Sequence, residues 1–272
     1  MDYTFLIAVI TMGGLGFIFA GGLAVADKKL RVEEDPKIAE INDKLPGANC
    51  GACGYAGCYD FAVNVVEGKA DINGCPVGGQ ETTEAIGLVM GIDASTNTKM
   101  LPRIMCLGGN KEAAKKYAEY HGPTSCAVME VVSGGDKLCE YGCLGGGDCV
   151  EACPFNAVFM NDDALPEVIP EACTGCGMCA KACPRDIIEM HPEDRDVFIF
   201  CKNQDDAKTA KEVCDFGCIK CGICVKKSGG AIEYINNVPT VVDYDKLDKS
   251  KIPFDKCRPG ALMDISDREY MK

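Results

Sequence analysis

The run "CTGCGMCAKACP" at residues 173–184 packs four cysteines into eleven residues and follows the last with a proline. Such a stretch has too few apolar side chains to make a core, so it must fold around something that thiolates hold. Cys-x2-Cys-x2-Cys-x3-Cys-Pro is the spacing of a two-cluster ferredoxin, in which three cysteines grip one [4Fe–4S] cluster and the fourth crosses to the other. A partner run is therefore required, and "CEYGCLGGGDCVEACP" supplies Cys139, Cys143, Cys149 and Cys153 with Pro154. Its middle position in the usual register is Gly146, and Cys139, four residues ahead of Cys143, is the substitute. Cross-ligation then gives one set of Cys139, Cys143, Cys149 and Cys183 and another of Cys153, Cys173, Cys176 and Cys179. "NAVFM" and "DIIEM" after the two prolines are expected to form the short strands and helix starts of a small ferredoxin core.

The chain has 20 cysteines and two histidines in 272 residues. Disulfide scaffolds belong to small secreted domains, whereas these cysteines recur at x2 spacings that suit thiolates converging on metal. His121 and His191 cannot furnish several Cys/His sites and read as loop or surface residues. A further module lies in "LPGANCGACGYAGCYDFAVNVVEGKADINGC", as Cys50-x2-Cys53-x4-Cys58-x16-Cys75. Phe61, Val65 and Val66 mark one face of an intervening helix that Gly68 is placed to end. Structural zinc is the rival reading, but zinc favours paired knuckles, and three thiolates followed by one suit a cubane better.

"CDFGCIKCGICVKKSGGAI" aligns with the run that begins at Cys139, so the ferredoxin module repeats. Cys218, Cys221 and Cys224 keep their spacing, and Ser228 stands where a fourth cysteine belongs. Leu247, Ser250, Pro253 and Cys257 occupy the offsets of Cys173, Cys176, Cys179 and Cys183. All four losses fall on one cluster, so Cys218, Cys221, Cys224 and Cys257 are expected to hold the cluster that survives. Cys106, Cys126, Cys201 and Cys214 remain. They form either a fifth four-thiolate site, cluster or zinc, or buried structural thiols; four or five clusters are expected accordingly.

From Tyr3 to Ala26 the chain carries no charge, enough to span a bilayer. "AVA" before Asp27 resembles a signal cleavage site, yet the start lacks positive charge and the apolar stretch is too long, so a retained anchor is expected. Lys28, Lys29 and Arg31 put the rest of the chain on the cytoplasmic side of the cell (inner) membrane. Gly16, Ala20 and Ala24, with Gly13 nearby, form a small-residue stripe that another helix could approach. The net charge of −13 excludes nucleic-acid binding. It is uneven: residues 201–272 carry 13 Lys/Arg against 12 Asp/Glu, and residues 1–200 carry 15 against 29. No phosphate-binding loop is present, because "GGLG" and "GGLA" lie inside the apolar span.

Taken together, the anchor, "CGACGYAGC" with Cys75, and the two ferredoxin runs resemble the B subunit of the Rnf complex, a membrane ferredoxin:NAD⁺ oxidoreductase. The resemblance spans nearly the whole chain. It implies a subunit of an Na⁺- or H⁺-transporting translocase, with no active site of its own, that accepts electrons from soluble ferredoxin and relays them to flavin-bearing partner subunits. The rivals are an electron-wire subunit of a hydrogenase or quinone reductase and a zinc-stabilised membrane adaptor. The expected fold is α+β: anchor 1–27, single [4Fe–4S] module 28–80, connecting helical region 81–135, two-cluster ferredoxin-like domain 136–196, and degenerate one-cluster domain 197–272. Lys220, Lys226, Lys227, Lys249, Lys251, Lys256 and Arg258 crowd the last cluster, where an acidic ferredoxin would be steered. Electrons would leave through the first module, next to the membrane.

Overall fold

The computed structural model describes residues 3–30, 35–94, 98–109 and 114–266. Helix α1, Tyr3–Leu30, is apolar on every side. Ile10, Phe17 and Ile18 on it are exposed, and Val9–Lys29 is long and apolar enough to cross a membrane. A Cβ at Gly13 or Gly16 would meet nothing, so the small-residue stripe is open to another helix. Arg31 lies outside the described residues.

Helices α2 (Pro36–Lys44), α3 (Cys58–Val66) and α4 (Gly79–Met90) form a first layer of their own. Asp35 starts α2 by accepting a bond from the Lys37 N–H at 2.9 Å, ahead of a proline whose missing N–H costs nothing there. Ile41, Phe61, Val65 and Ile86 are wholly buried where the three helices meet. Full burial of each such side chain is worth about 1.5–3 kcal/mol. Gly68, at φ +72°, ends α3 as expected, its N–H bonding to Val65 O.

The remainder is built from two-stranded antiparallel sheets. Strand β1 is Met100–Ile104, and helices α5 (Cys126–Val132) and α6 (Asp148–Glu151) follow. Then come β2 (Val158–Met160), β3 (Pro166–Val168), α7 (Met178–Lys181), β4 (Ile188–Pro192) and β5 (Val197–Ile199). The chain continues through α8 (Ala207–Val213), α9 (Ile223–Lys227), β6 (Ile232–Ile235), β7 (Val238–Val241) and two 3₁₀ turns to β8 (Leu262–Asp264). The pairings are β1–β4, β2–β3, β5–β8 and β6–β7.

The stretch 81–135, expected to be a helical connection, holds most of α4 and all of α5 but also β1. That strand pairs with β4 from Met100↔Pro192 to Ile104↔Ile188, which ties the stretch into the ferredoxin unit. "NAVFM" and "DIIEM" run into β2 and β4. His121 is exposed, but His191 is not a loop residue: it lies in β4 with its ring 5.0 Å from that of Phe198 and Nε2 3.0 Å from Glu189.

Candidate metal centres

All 20 cysteines are free thiols. Among the described residues no three Cys, His, Asp or Glu side chains converge tightly enough to share a single metal ion. The thiols stand instead around wider spaces.

Cys50, Cys53 and Cys58 lie on the loop leading into α3, and Cys75 is buried beside Cys53 and Cys58. Asn49 holds this loop by accepting the Cys58 N–H at 2.8 Å. A Cβ on Gly57 would sit 2.8 Å from that same Asn49 oxygen, so a larger residue there would displace the Asn49 side chain that holds the loop. Cys173, Cys176 and Cys179 gather with Cys153. The Ala157 N–H donates to the Cys153 sulfur at 3.3 Å. Gly175 has φ +74°, and a Cβ there would meet Met100 O at 2.6 Å, so β1 presses directly on this loop.

The next set differs from the sequence expectation. Cys143, Cys149 and Cys183 line an apolar cavity of about 380 Å³, its mouth included, and the fourth thiol on it is Cys126, not Cys139. The reason is visible at Gly146, where a Cβ would fall 2.7 Å from the Cys126 nitrogen and 3.0 Å from its sulfur. The chain at 126 fills the place that a cysteine at 146 would take. Asp148 pins it there, accepting the Cys126 N–H at 2.8 Å, the Ala127 N–H at 3.0 Å and the Ser125 hydroxyl at 3.0 Å. Burial alone would raise Asp148, but these three bonds outweigh it and hold the carboxyl below the usual range.

Cys139 stands elsewhere, with Cys106, Cys201 and Cys214. Three of the four thiols left over by the motifs are thus together, and Cys126 is not among them. The signal that could have revealed this was the gap at Gly146, which needed a thiol from somewhere.

Cys218, Cys221, Cys224 and Cys257 line a cavity of about 440 Å³, its mouth included. The Leu262 N–H donates to the Cys257 sulfur at 3.4 Å, and Cys221 is exposed. Ser228 is buried and points at no thiol. Its hydroxyl donates to Val225 O at 2.9 Å and accepts the Ile232 N–H at 3.0 Å. Leu247, Ile252 and Phe254 pack with Ile199, Ile232 and Leu262 into an apolar cluster beside Cys224 and Cys257.

Burial pushes the Cys143, Cys149, Cys179 and Cys214 thiols up to about 12, and Cys218 to about 11, with neighbouring cysteines adding to the rise. Without metal these groups are neutral, and loading iron must expel their protons. Four sulfurs around an apolar space, with N–H groups aimed at several of them, are the donor set that a [4Fe–4S] cluster uses.

The Fe-S cluster family FeS matches residues 45–77, and the 4Fe-4S dicluster domain family matches residues 138–187. The B subunit of the Na(+)-translocating ferredoxin:NAD(+) oxidoreductase complex of Acetobacterium woodii is 41% identical over 267 residues, 98% of this chain and 79% of the relative. The chain belongs to the B-subunit family of the Rnf complex. The B subunit of the ion-translocating oxidoreductase complex of Methanosarcina acetivorans is 37% identical, covering 88% of this chain and 90% of its own length. The B subunit of the proton-translocating ferredoxin:NAD(+) oxidoreductase complex of Clostridium ljungdahlii is 35% identical over 79% of this chain and 76% of its own. As a member of the Rnf family, the chain is an electron-transfer protein that holds [4Fe–4S] clusters and associates with a membrane.

Proposed function

We propose that the chain accepts electrons from reduced ferredoxin at its C-terminal end and passes them toward membrane partners that carry flavin. Each cluster, when bound, takes up and gives back one electron. What carries this reading is the contact of one thiol set with the next. Cys149 lies beside Cys179 and Cys183, the Cys143 N–H donates to the Cys106 sulfur at 3.3 Å, and the Cys218 N–H donates to the Cys201 sulfur at 3.3 Å.

The ligand sets this supports are Cys50, Cys53, Cys58 and Cys75; Cys126, Cys143, Cys149 and Cys183; Cys153, Cys173, Cys176 and Cys179; and Cys218, Cys221, Cys224 and Cys257. Boundaries at residues 27, 80, 135 and 196 remain our division, with β1 belonging to the ferredoxin unit across the third of them. The two ferredoxin units are tandem copies: hairpin β2–β3 answers to β6–β7, and pair β1–β4 to β5–β8. The second copy has exchanged one cluster for the apolar cluster around Ile252 and Phe254.

The anchor is α1, and Lys28 and Lys29 at its last turn favour a cytoplasmic position for all the thiol sets. Ferredoxin docks near the exposed Cys221. Lys226, Lys227, Lys256 and Arg258 are exposed around it, whereas Lys249 is engaged by Asp196 and Asp264, and Lys251 by Asp248. Changing Lys226, Lys227 and Lys256 together to Glu should slow ferredoxin oxidation by at least about tenfold at low ionic strength, with the gap closing as salt rises. An unchanged rate removes the docking site.

A further inference from the structure

We infer that Cys106, Cys139, Cys201 and Cys214 form a fifth four-thiolate site that holds a [4Fe–4S] cluster between the two ferredoxin units. This rests on the reading of the other sets as cluster ligands and on the tandem copies.

The four thiols neighbour one another: the charge of Cys214 feels Cys106, Cys139 and Cys201, and that of Cys201 feels Cys139. The position of a Cβ on Gly142 is 3.6 Å from the Cys139 sulfur and 3.7 Å from that of Cys106. The corresponding position on Gly108 is 3.4 Å from the Cys214 sulfur and 3.6 Å from Cys106. Glycines thus leave the sulfurs facing shared space. Cys139, Cys201 and Cys214 are buried and Cys106 is half-buried.

Symmetry argues that this is a site rather than a chance gathering. Each copy contributes two cysteines from matching places. Cys106 follows β1 and Cys201 follows β5, and each donates its N–H two residues back, to Ile104 O and Ile199 O, both at 2.8 Å. Cys139 and Cys214 each precede by four residues the first regular cluster cysteine, Cys143 and Cys218.

The surroundings also ask for a negative centre. The Cys106 sulfur accepts two N–H bonds, from Gly108 and Cys143, both at 3.3 Å, and Cys201 accepts one from Cys218. Beside Cys106 lies the ammonium of Lys137, a residue only 3% exposed, whose bonds run to two carbonyls, Gly108 O at 2.8 Å and Cys143 O at 2.7 Å. A buried cation whose bonds among the described residues run to carbonyls is costly, and a cluster carrying a net charge of about −2 would offset it.

The site would close the gap in the wire, since its ligands accept peptide N–H bonds from ligands of the sets on either side, Cys143 and Cys218. Iron and labile sulfide counted on the anaerobically purified full-length chain test it. Five clusters give about 20 of each per chain. Cys201→Ala should lower the count to about 16, and Cys139→Ala with Cys201→Ala should lower it no further, because both ligands serve one cluster. Cys126→Ala with Cys201→Ala should reach about 12. A wild-type count of about 16 overturns the proposal without any variant, and so does one zinc per chain beside about 16 irons. A further loss of about four irons in the Cys139/Cys201 double variant returns Cys139 to the neighbouring set and overturns it too. A chain with no iron at all would instead sink the broader cluster reading.

Discussion

Gly146 shows how one missing side chain redirects a ligand set. In the regular spacing a cysteine would stand there, but a Cβ would lie 2.2 Å from Thr124 O and against Cys126. Gly146→Ala should therefore push the 124–126 segment off the cavity and cost about four irons per chain, read by metal analysis with the remaining clusters as internal reference. Arg185 works from the other side. Its buried guanidinium donates to Glu130 at 2.7 Å, Gly134 O at 2.7 Å, Gly142 O at 2.8 Å and Cys139 O at 3.1 Å, clamping the loop that separates Cys126 from Cys139. Arg185→Met leaves these acceptors short of donors. It should lower stability by at least about 2 kcal/mol in thermal unfolding of the loaded protein; an unaltered melting temperature would show the clamp to be ornamental. Neither contact is legible in sequence, because both join residues tens of positions apart.

Among the elements, the segment after β5, which we propose to be a second ferredoxin copy, shows how serine and apolar side chains stand at cysteine offsets. Ser228 spends its hydroxyl on Val225 O and the Ile232 N–H, and Ile252 and Phe254 pack with Ile232 and Leu262 close by. Ser228→Cys should therefore not raise the iron count, since three other thiolates are absent and the volume is taken. Ser228→Ala should cost about 1–3 kcal/mol by stranding the Ile232 N–H, measured as a drop in melting temperature. The strands after Pro154 and Pro184 were legible through their apolar pairs. The sequence did not reveal β1: "MLPRI" contains a proline and an arginine, and its strand identity comes from a distant partner, β4. Local spacing brings together the x2-spaced thiols such as Cys173, Cys176 and Cys179, but it misplaced Cys139, which stands with Cys214. The neighbours of Cys126 and Cys106 were not legible, because only tertiary folding sets them.

At the scale of the whole molecule, an apolar helix, a helical module and the ferredoxin-type region lie along one chain, and the thiol sets from Cys106 onward adjoin one another. The small cores are completed by the thiol sets themselves, as Cys143, Cys149 and Cys179 packing with Val158 and Ile187 shows. Removing iron by chelation should thus unfold the ferredoxin units while α2–α4 lose less, followed by circular dichroism and proteolysis. The charge asymmetry was readable from composition, but which lysines are available was not, since Lys249 and Lys251 proved to be paired. The most direct test of the account mixes the anaerobically purified full-length chain with reduced ferredoxin and follows its broad visible absorbance. Bleaching should titrate to one electron per cluster, at a rate that falls as salt rises. An absorbance that dithionite bleaches but reduced ferredoxin leaves untouched, at any salt concentration, would contradict it.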